Sequence, residues 1–176
     1  AKQGYRANIN LRDIFEQLPK PPTVVYCSGT LMYGNTAKIA NEEQSISPIA
    51  YARAYEYAER PFTRELSEAP LDVRTARPAW ILGPDSWFEY FFYRPALELG
   101  FVPYYGNGGQ QMSIISVEDC AGQLLHVATH GAPGESYNLF GFAPISQLEF
   151  AKKTAKILDL DVRQIREKEL VKKHGK

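Results

Sequence analysis

Residues 3–34 constrain the fold more tightly than any other stretch. Apolar side chains at Ile9, Leu11, Ile14, Phe15 and Leu18 recur near helical spacing, which predicts a helix over 3–18. Lys20-Pro21-Pro22 then ends it, because proline has no amide hydrogen for the helical ladder. Thr23-Val24-Val25-Tyr26-Cys27 is apolar and β-branched and predicts a buried strand, which runs into the small polar turn Ser28-Gly29-Thr30. A helix, a buried strand and a small-residue turn in succession predict an α/β protein with a parallel sheet.

The same period and punctuation can be followed further. Residues 34–48 are polar and turn-rich. A helical pattern runs from Ile49 to Glu59, with Pro61 as an interruption and a continuation to Leu66 as the longer alternative. Val73 to Ala76 reads as a strand closed by Arg77-Pro78, with Trp80-Ile81-Leu82 as its extension. Residues 86–99 read as an aromatic-rich helix despite Pro95. Gly106, Gly108 and Gly109 mark a turn rather than a phosphate cradle, and Ser113-Ile114-Ile115 a short strand. Ser116 opens a helix that ends at Gly131, with Val117, Cys120, Ala121, Leu124, Leu125 and Ala128 expected on its apolar side. Tyr137–Phe140 reads as a strand. Ser146 and Glu149 form a capping box before a helix to about Leu158, and 165–176 are expected to be a frayed or solvated end.

Lys plus Arg equals Asp plus Glu at 20 each, so the chain has neither the basic face of a nucleic-acid binder nor that of a membrane-surface protein. No apolar run approaches a membrane span, and no leader peptide is legible. The absence of an initial Met raises the expectation of a processed or incomplete N-terminus. Cys27 and Cys120 follow no metal-ligand spacing and are expected as two buried thiols in a reducing, cytoplasmic setting. His126 and His130 share a helical face, but they occupy the last turn, where imidazole suits the helix dipole; no metal site is expected. With 176 residues, no repeat and no composition shift, one α/β domain is expected.

Several segments together resemble a known family. Val24–Gly34 (VVYCSGTLMYG) is similar to a strand and turn written S-S-x-x-V-Y-G. Ser47–Glu59 (SPIAYARAYEYAE) resembles S-P-x-x-Y-x-x-x-K-x-x-x-E. Arg77–Pro84 (RPAWILGP) resembles R-P-x-x-V-Y-G-P, Ser116–Gly122 (SVEDCAG) resembles H-V-x-D-x-A, and Tyr137–Phe150 resembles a final Y-N…E segment. In that order they are similar to the second half of extended short-chain dehydrogenases/reductases, the NAD-dependent epimerase/dehydratase kind. The resemblance implies a Rossmann-like parallel sheet with flanking helices, lacking the glycine-rich βαβ half that cradles the cofactor pyrophosphate. It places part of a substrate-binding region at roughly 80–176. No G-x-x-G-x-x-G occurs in the chain, which is therefore expected to be a fragment.

The resemblance also implies site residues. Tyr51 stands at the catalytic tyrosine. A free phenol ionises near pH 10 and needs an adjacent cation to work near neutrality, but Tyr55 occupies the lysine position one turn later. The substrate-orienting hydroxyl position falls on Gly29, with Ser28 and Thr30 flanking it as substitutes. NAD or NADP, in the full-length parent, would meet Asn8, Ser28, Gly29, Tyr51, Tyr55, Pro78, Ala79, Trp80 and Ile81. Substrate would meet Leu31, Trp80, Trp87 and Met112. Met112 stands near where nucleotide-sugar members carry an arginine. The aromatic set between Trp80 and Tyr93 either walls an apolar pocket or is core between helix and sheet.

Two functions are compatible with these positions. One is an NAD(P)-dependent oxidoreductase, epimerase or dehydratase acting on a small hydroxyl or carbonyl compound. The other is a catalytically inactive cofactor-binding or interaction protein on the same fold. A homodimer is implied through the helices that hold the tyrosine motif, and a co-purifying N-terminal fragment is the other expected partner.

Overall fold

The structure is a computed structural model, and it describes residues 1–50, 52–63 and 71–166. In chain order its elements are α1 (Lys2–Glu16), β1 (Val24–Cys27), α2 (Ala52–Thr63), β2 (Val73–Pro78), β3 (Trp80–Leu82), α3 (Arg94–Leu99) and β4 (Phe101–Tyr105). There follow β5 (Gln111–Met112), β6 (Ile114–Ser116), α4 (Val117–His130), β7 (Ser136–Leu139), β8 (Ile145–Ser146), α5 (Gln147–Leu158) and β9 (Asp161–Ile165). The result is the expected α/β class with parallel strands and flanking helices.

The chain forms two compact units, one of Ala1–Ala79 with Glu118–Phe140 and one of Trp80–Val117 with Gly141–Lys176. It passes between them inside or beside regular elements, which is why no linker composition marks the change.

In the first unit, β1, β2 and β7 form a parallel sheet in that order, with Val24 opposite Val73 and Thr75 opposite Ser136. Central β2 is buried along its length, through Pro78. Edge strand β1 is half-buried and Cys27 is exposed, which corrects the expected buried strand and buried thiol. Among the described strands, β1 has one neighbour in the sheet, β2. Phe62, Leu71 and Val73 form a small core, with Phe15, Val24 and Tyr26 packed on it. Pro61 does not interrupt α2: it is fully buried in the last turn, and the helix continues to Thr63. Residues 64–70 lie outside the described set, and with them the longer alternative to Leu66.

Arg74 fastens α4 to the sheet. Its Nη1 donates to the Val127 and Ala128 carbonyls, each at 2.8 Å, while its other nitrogens grip the Asp72 carboxylate. A cation at a helix C-terminus supplies hydrogens to carbonyls that have no helical donor. The inward face of α4 carries Cys120 and Val127. Val117, Ala121 and Leu125 are exposed, so the expected apolar side is rotated from the one the sequence suggests.

In the second unit, β3 pairs with β6 and β4 with β9, both parallel, and β5 pairs with β8 antiparallel. Trp80–Leu82 is therefore a strand of its own and not an extension of β2. Strands β4 and β9 went unread, since Pro103 sits inside one and charge dominates the other. The aromatic helix over 86–99 is present with a π-helical turn at Glu89–Tyr93 ahead of α3. Pro95 offers no hydrogen to the Phe91 carbonyl, and the Tyr105 hydroxyl donates there instead at 3.0 Å. Trp87, Phe88, Phe92 and Phe150 pack edge-to-face and tilted in the unit's core, while Tyr90, Phe91 and Tyr93 are exposed. The glycine turn at 106–109 is a turn as expected. Gly108, at φ +69°, rests on α5, where an added Cβ would stand 2.7 Å from the Leu148 Cβ. The capping box at Ser146 and Glu149 is formed.

Candidate functional site

In the first unit a cavity of about 320 Å³ opens beyond the carboxyl end of β1. Parallel α/β sheets place ligands there, because the turns that leave the strands expose backbone and small polar groups together. The turn supplies Ser28, Gly29, Leu31 and Met32, and α2 supplies Tyr55, Ala58 and Glu59. The first strand contributes Tyr26 and Cys27.

The shape of the turn follows from its backbone. Thr30–Tyr33 make one 3-10 turn, and Gly34 reverses the chain at φ +69°. A Cβ on Gly34 would stand 2.1 Å from the Ser47 carbonyl oxygen, so only glycine fits. Ser47 N–H donates to the Met32 carbonyl at 3.0 Å, which fastens the end of the 34–48 loop to the turn just ahead of α2. Beneath the turn, Arg77 Nη1 donates to the Tyr33 hydroxyl, which donates to Asn138 Oδ1 at 2.8 Å.

Around the cavity the polar groups are committed in definite directions. Ser28 Oγ donates to Glu59 Oε2 at 2.5 Å, and Glu59 is only 3% exposed. Asn8 Nδ2 donates to the Tyr26 hydroxyl at 3.1 Å and to the Ala58 carbonyl at 2.8 Å. Asn8 thus ties α1 to both walls of the cavity without lining it. Burial pushes the Tyr26 phenol above its ordinary value, against the pull of the Asn8 hydrogen bond. Burial likewise raises the Cys27 thiol, which keeps it protonated near neutral pH and a weak nucleophile.

The sequence-derived positions divide as follows. Ser28, Gly29, Leu31 and Tyr55 meet around one cavity. Thr30 turns away, its hydroxyl donating to the Pro78 carbonyl at 3.4 Å, so of the two substitutes for the missing hydroxyl it is Ser28 that borders the cavity. Pro78 and Ala79 are buried at the end of β2. Trp80 and Ile81 are half-buried in the second unit, where Trp87 packs in the aromatic core and Met112 is 3% exposed in the same core. Tyr51 lies outside the described residues. The rings of His126 and His130 stack at 4.3 Å, and no group of three or more metal-ligating side chains is present among the described residues.

Tyr26, Cys27, Met32, Ala58 and Glu59 line the cavity without having been assigned to a site from the sequence, and Glu59 is the charged one among them. Its signal was present, since it falls four residues after Tyr55, at the glutamate position of the Ser47–Glu59 motif.

A cavity bordered by Ser28 and Tyr55 beyond a parallel strand belongs to an α/β protein with a Rossmann-like sheet. Comparison narrows the class: residues 4–139 match the NAD dependent epimerase/dehydratase family, and the chain belongs to that family. A dTDP-glucose 4,6-dehydratase of Escherichia coli is 41% identical over 58 residues, which are 33% of this chain and 16% of that protein. The crystal structure of dTDP-glucose 4,6-dehydratase from Bacillus anthracis in complex with NAD has a TM-score of 0.80 at 21% identity, covering 93% of this chain and 55% of that one. That of UDP-glucuronic acid 4-epimerase from Bacillus cereus, in complex with UDP-glucuronic acid and NAD, has a TM-score of 0.79 at 18% identity, covering 93% and 54%. The chain thus spans about half the length of these structures. No described helix is long and apolar enough to cross a membrane.

Proposed function

We propose that these residues form the second half of an NAD(P)-dependent oxidoreductase, epimerase or dehydratase that acts on a hydroxyl or carbonyl of a small molecule. The observation that carries the reading is the cavity where Ser28 and Tyr55 face one space beyond β1 in a member of this family. Leu31, Met32 and Ala58 offer an apolar wall to a flat ring, while the Ser28 and Tyr55 hydroxyls suit a ribose. These residues fit the nicotinamide-ribose end of NAD or NADP. A bound nicotinamide would supply the hydride donor or acceptor.

What the chain itself supplies is orientation and a proton. Ser28 has given its own hydrogen to Glu59, so toward the cavity its oxygen offers lone pairs and accepts from a ligand hydroxyl. Tyr51 is the proposed acid-base residue, with Tyr55 four residues later in the sequence. No pyrophosphate cradle occurs in the sequence, and we assign it to chain outside these 176 residues. The half-length match to the solved structures supports that assignment. Unpaired Cys27 and Cys120 support a cytoplasmic setting, and the exposed Leu11 and Ile14 on α1 support a homodimer through α1 and α2.

Tyr55 favours a second reading, a binding protein without turnover. It is 62% exposed at the position where the resemblance expects lysine, and among the described residues no Lys or Arg lines the cavity. Assaying the full-length protein for cofactor binding and for turnover of a ketone and alcohol panel separates the two. Binding with turnover that Tyr51→Phe abolishes supports the enzyme. Binding alone supports the second reading, and no binding of NAD or NADP removes both.

A further inference from the structure

A second cavity of the first unit, about 70 Å³, lies against the face of β2 that carries Val73, Thr75 and Arg77. Ile46 and Phe62 give it apolar walls, and Thr75 and Ser136 also line it, as does Thr63, whose hydroxyl donates to the Glu59 carbonyl at 3.1 Å. Arg77 is 5% exposed. Its Nη1 donates to the Tyr33 hydroxyl at 3.0 Å, and its guanidinium carbon lies 5.2 Å from the centre of that ring. Its Nε is buried and has no acceptor.

Neither group that Arg77 touches carries negative charge. The Tyr33 hydroxyl spends its own hydrogen on Asn138 Oδ1, and Glu42 Oε1 accepts the Asn138 N–H at 2.8 Å. Arg77 forms no ion pair with a carboxylate among the described residues, whereas Arg74, two residues earlier on the same strand, is paired with Asp72 at 2.7 Å. A guanidinium cannot shed its proton in a protein, so it cannot escape the cost of burial by becoming neutral. An uncompensated buried charge is among the most costly features a fold can hold.

We infer that this cavity binds a small monovalent anion, with Arg77 as its counter-charge and the Thr75 and Ser136 hydroxyls as neutral donors. The volume suits a halide or formate and excludes a nucleotide or sugar phosphate. The site is separate from the cavity at Ser28 and does not depend on the proposed chemistry there.

The test is thermal unfolding of the full-length protein in sodium chloride, formate or gluconate at equal ionic strength. Chloride and formate should raise the midpoint saturably, by about 3 °C, relative to gluconate, which is too large to enter. Arg77→Met should abolish the difference. Because that variant removes a buried group and could fail to fold, Thr75→Val with Ser136→Ala is the second arm, expected to raise the half-saturating anion concentration about tenfold. Anomalous scattering from crystals grown in bromide should give a peak beside Arg77. Equal midpoints in all three salts, bromide at surface positions only, or a carboxylate of the protein itself beside Arg77 would each overturn the inference.

Discussion

Ser28 and Glu59 hold each other across the first cavity: the serine hydroxyl donates to a nearly inaccessible carboxylate at 2.5 Å. The contact joins the turn after β1 to α2 and sets which way the serine proton points. Ser28→Ala removes a donor from a buried carboxylate and should cost about 1–3 kcal/mol in urea unfolding. Glu59→Leu should be destabilising too. The double variant should cost less than the sum of the two, because each single change has already broken the pair. Strict additivity would show that the contact contributes nothing.

Tyr55 is exposed, four residues after the proposed acid-base tyrosine in the sequence. Tyr55→Lys places a cation where the resemblance expects one, and a cation stabilises a nearby phenolate. The acid limb of the pH-rate profile of the full-length protein should therefore move to lower pH, with activity near neutrality rising about tenfold. An unmoved profile would show that Tyr51 is not the titrating group.

Asp72 receives two hydrogen bonds from Arg74, and these hold its carboxyl below the usual carboxylate range; the Thr23 hydroxyl adds to the effect. A group whose folded pKa is depressed adds stability above its unfolded value, and that stability is lost as pH falls through the folded value. Wild type should thus lose stability relative to Asp72→Asn below about pH 4, with a constant difference from pH 5 to 8. The comparison is made by urea unfolding across that range, and parallel curves throughout would contradict the pairing.

Tyr105 replaces the hydrogen that Pro95 cannot give to Phe91. Tyr105→Phe should cost about 0.5–1.5 kcal/mol, and Pro95→Ala in the same background should recover part of it by restoring a helical amide. No recovery would mean that the π-helical turn is set by aromatic packing alone.

The fold was legible where local chemistry is strong. The β-branched run at 23–27, the Ser146 capping box and the glycine after α4 each write their element into a few residues. What escaped depends on tertiary pairing. The strand Asp161–Ile165 is mostly polar and exists because it pairs with Phe101–Tyr105, and Pro103 inside that partner argues locally against a strand. Cys27 is exposed because β1 is an edge, a fact of sheet order that no single strand reveals. At the site, the motif resemblance named Ser28, Gly29, Leu31 and Tyr55, and these four line one cavity. It could not tell that Thr30 faces Pro78, or that Trp87 and Met112 pack in one core.

Calorimetric titration of the full-length protein with NAD and NADP, beside a Gly29→Phe variant, tests the proposed role of the first cavity most directly. An added Cβ at Gly29 meets only the Pro78 carbonyl oxygen at 3.9 Å, so the backbone tolerates a bulky ring at a position that borders the cavity. The prediction is saturable binding of one dinucleotide by wild type, weakened at least about tenfold in the variant. Binding of equal strength in both, or none in the wild type, would contradict a cofactor seated between Ser28 and Tyr55.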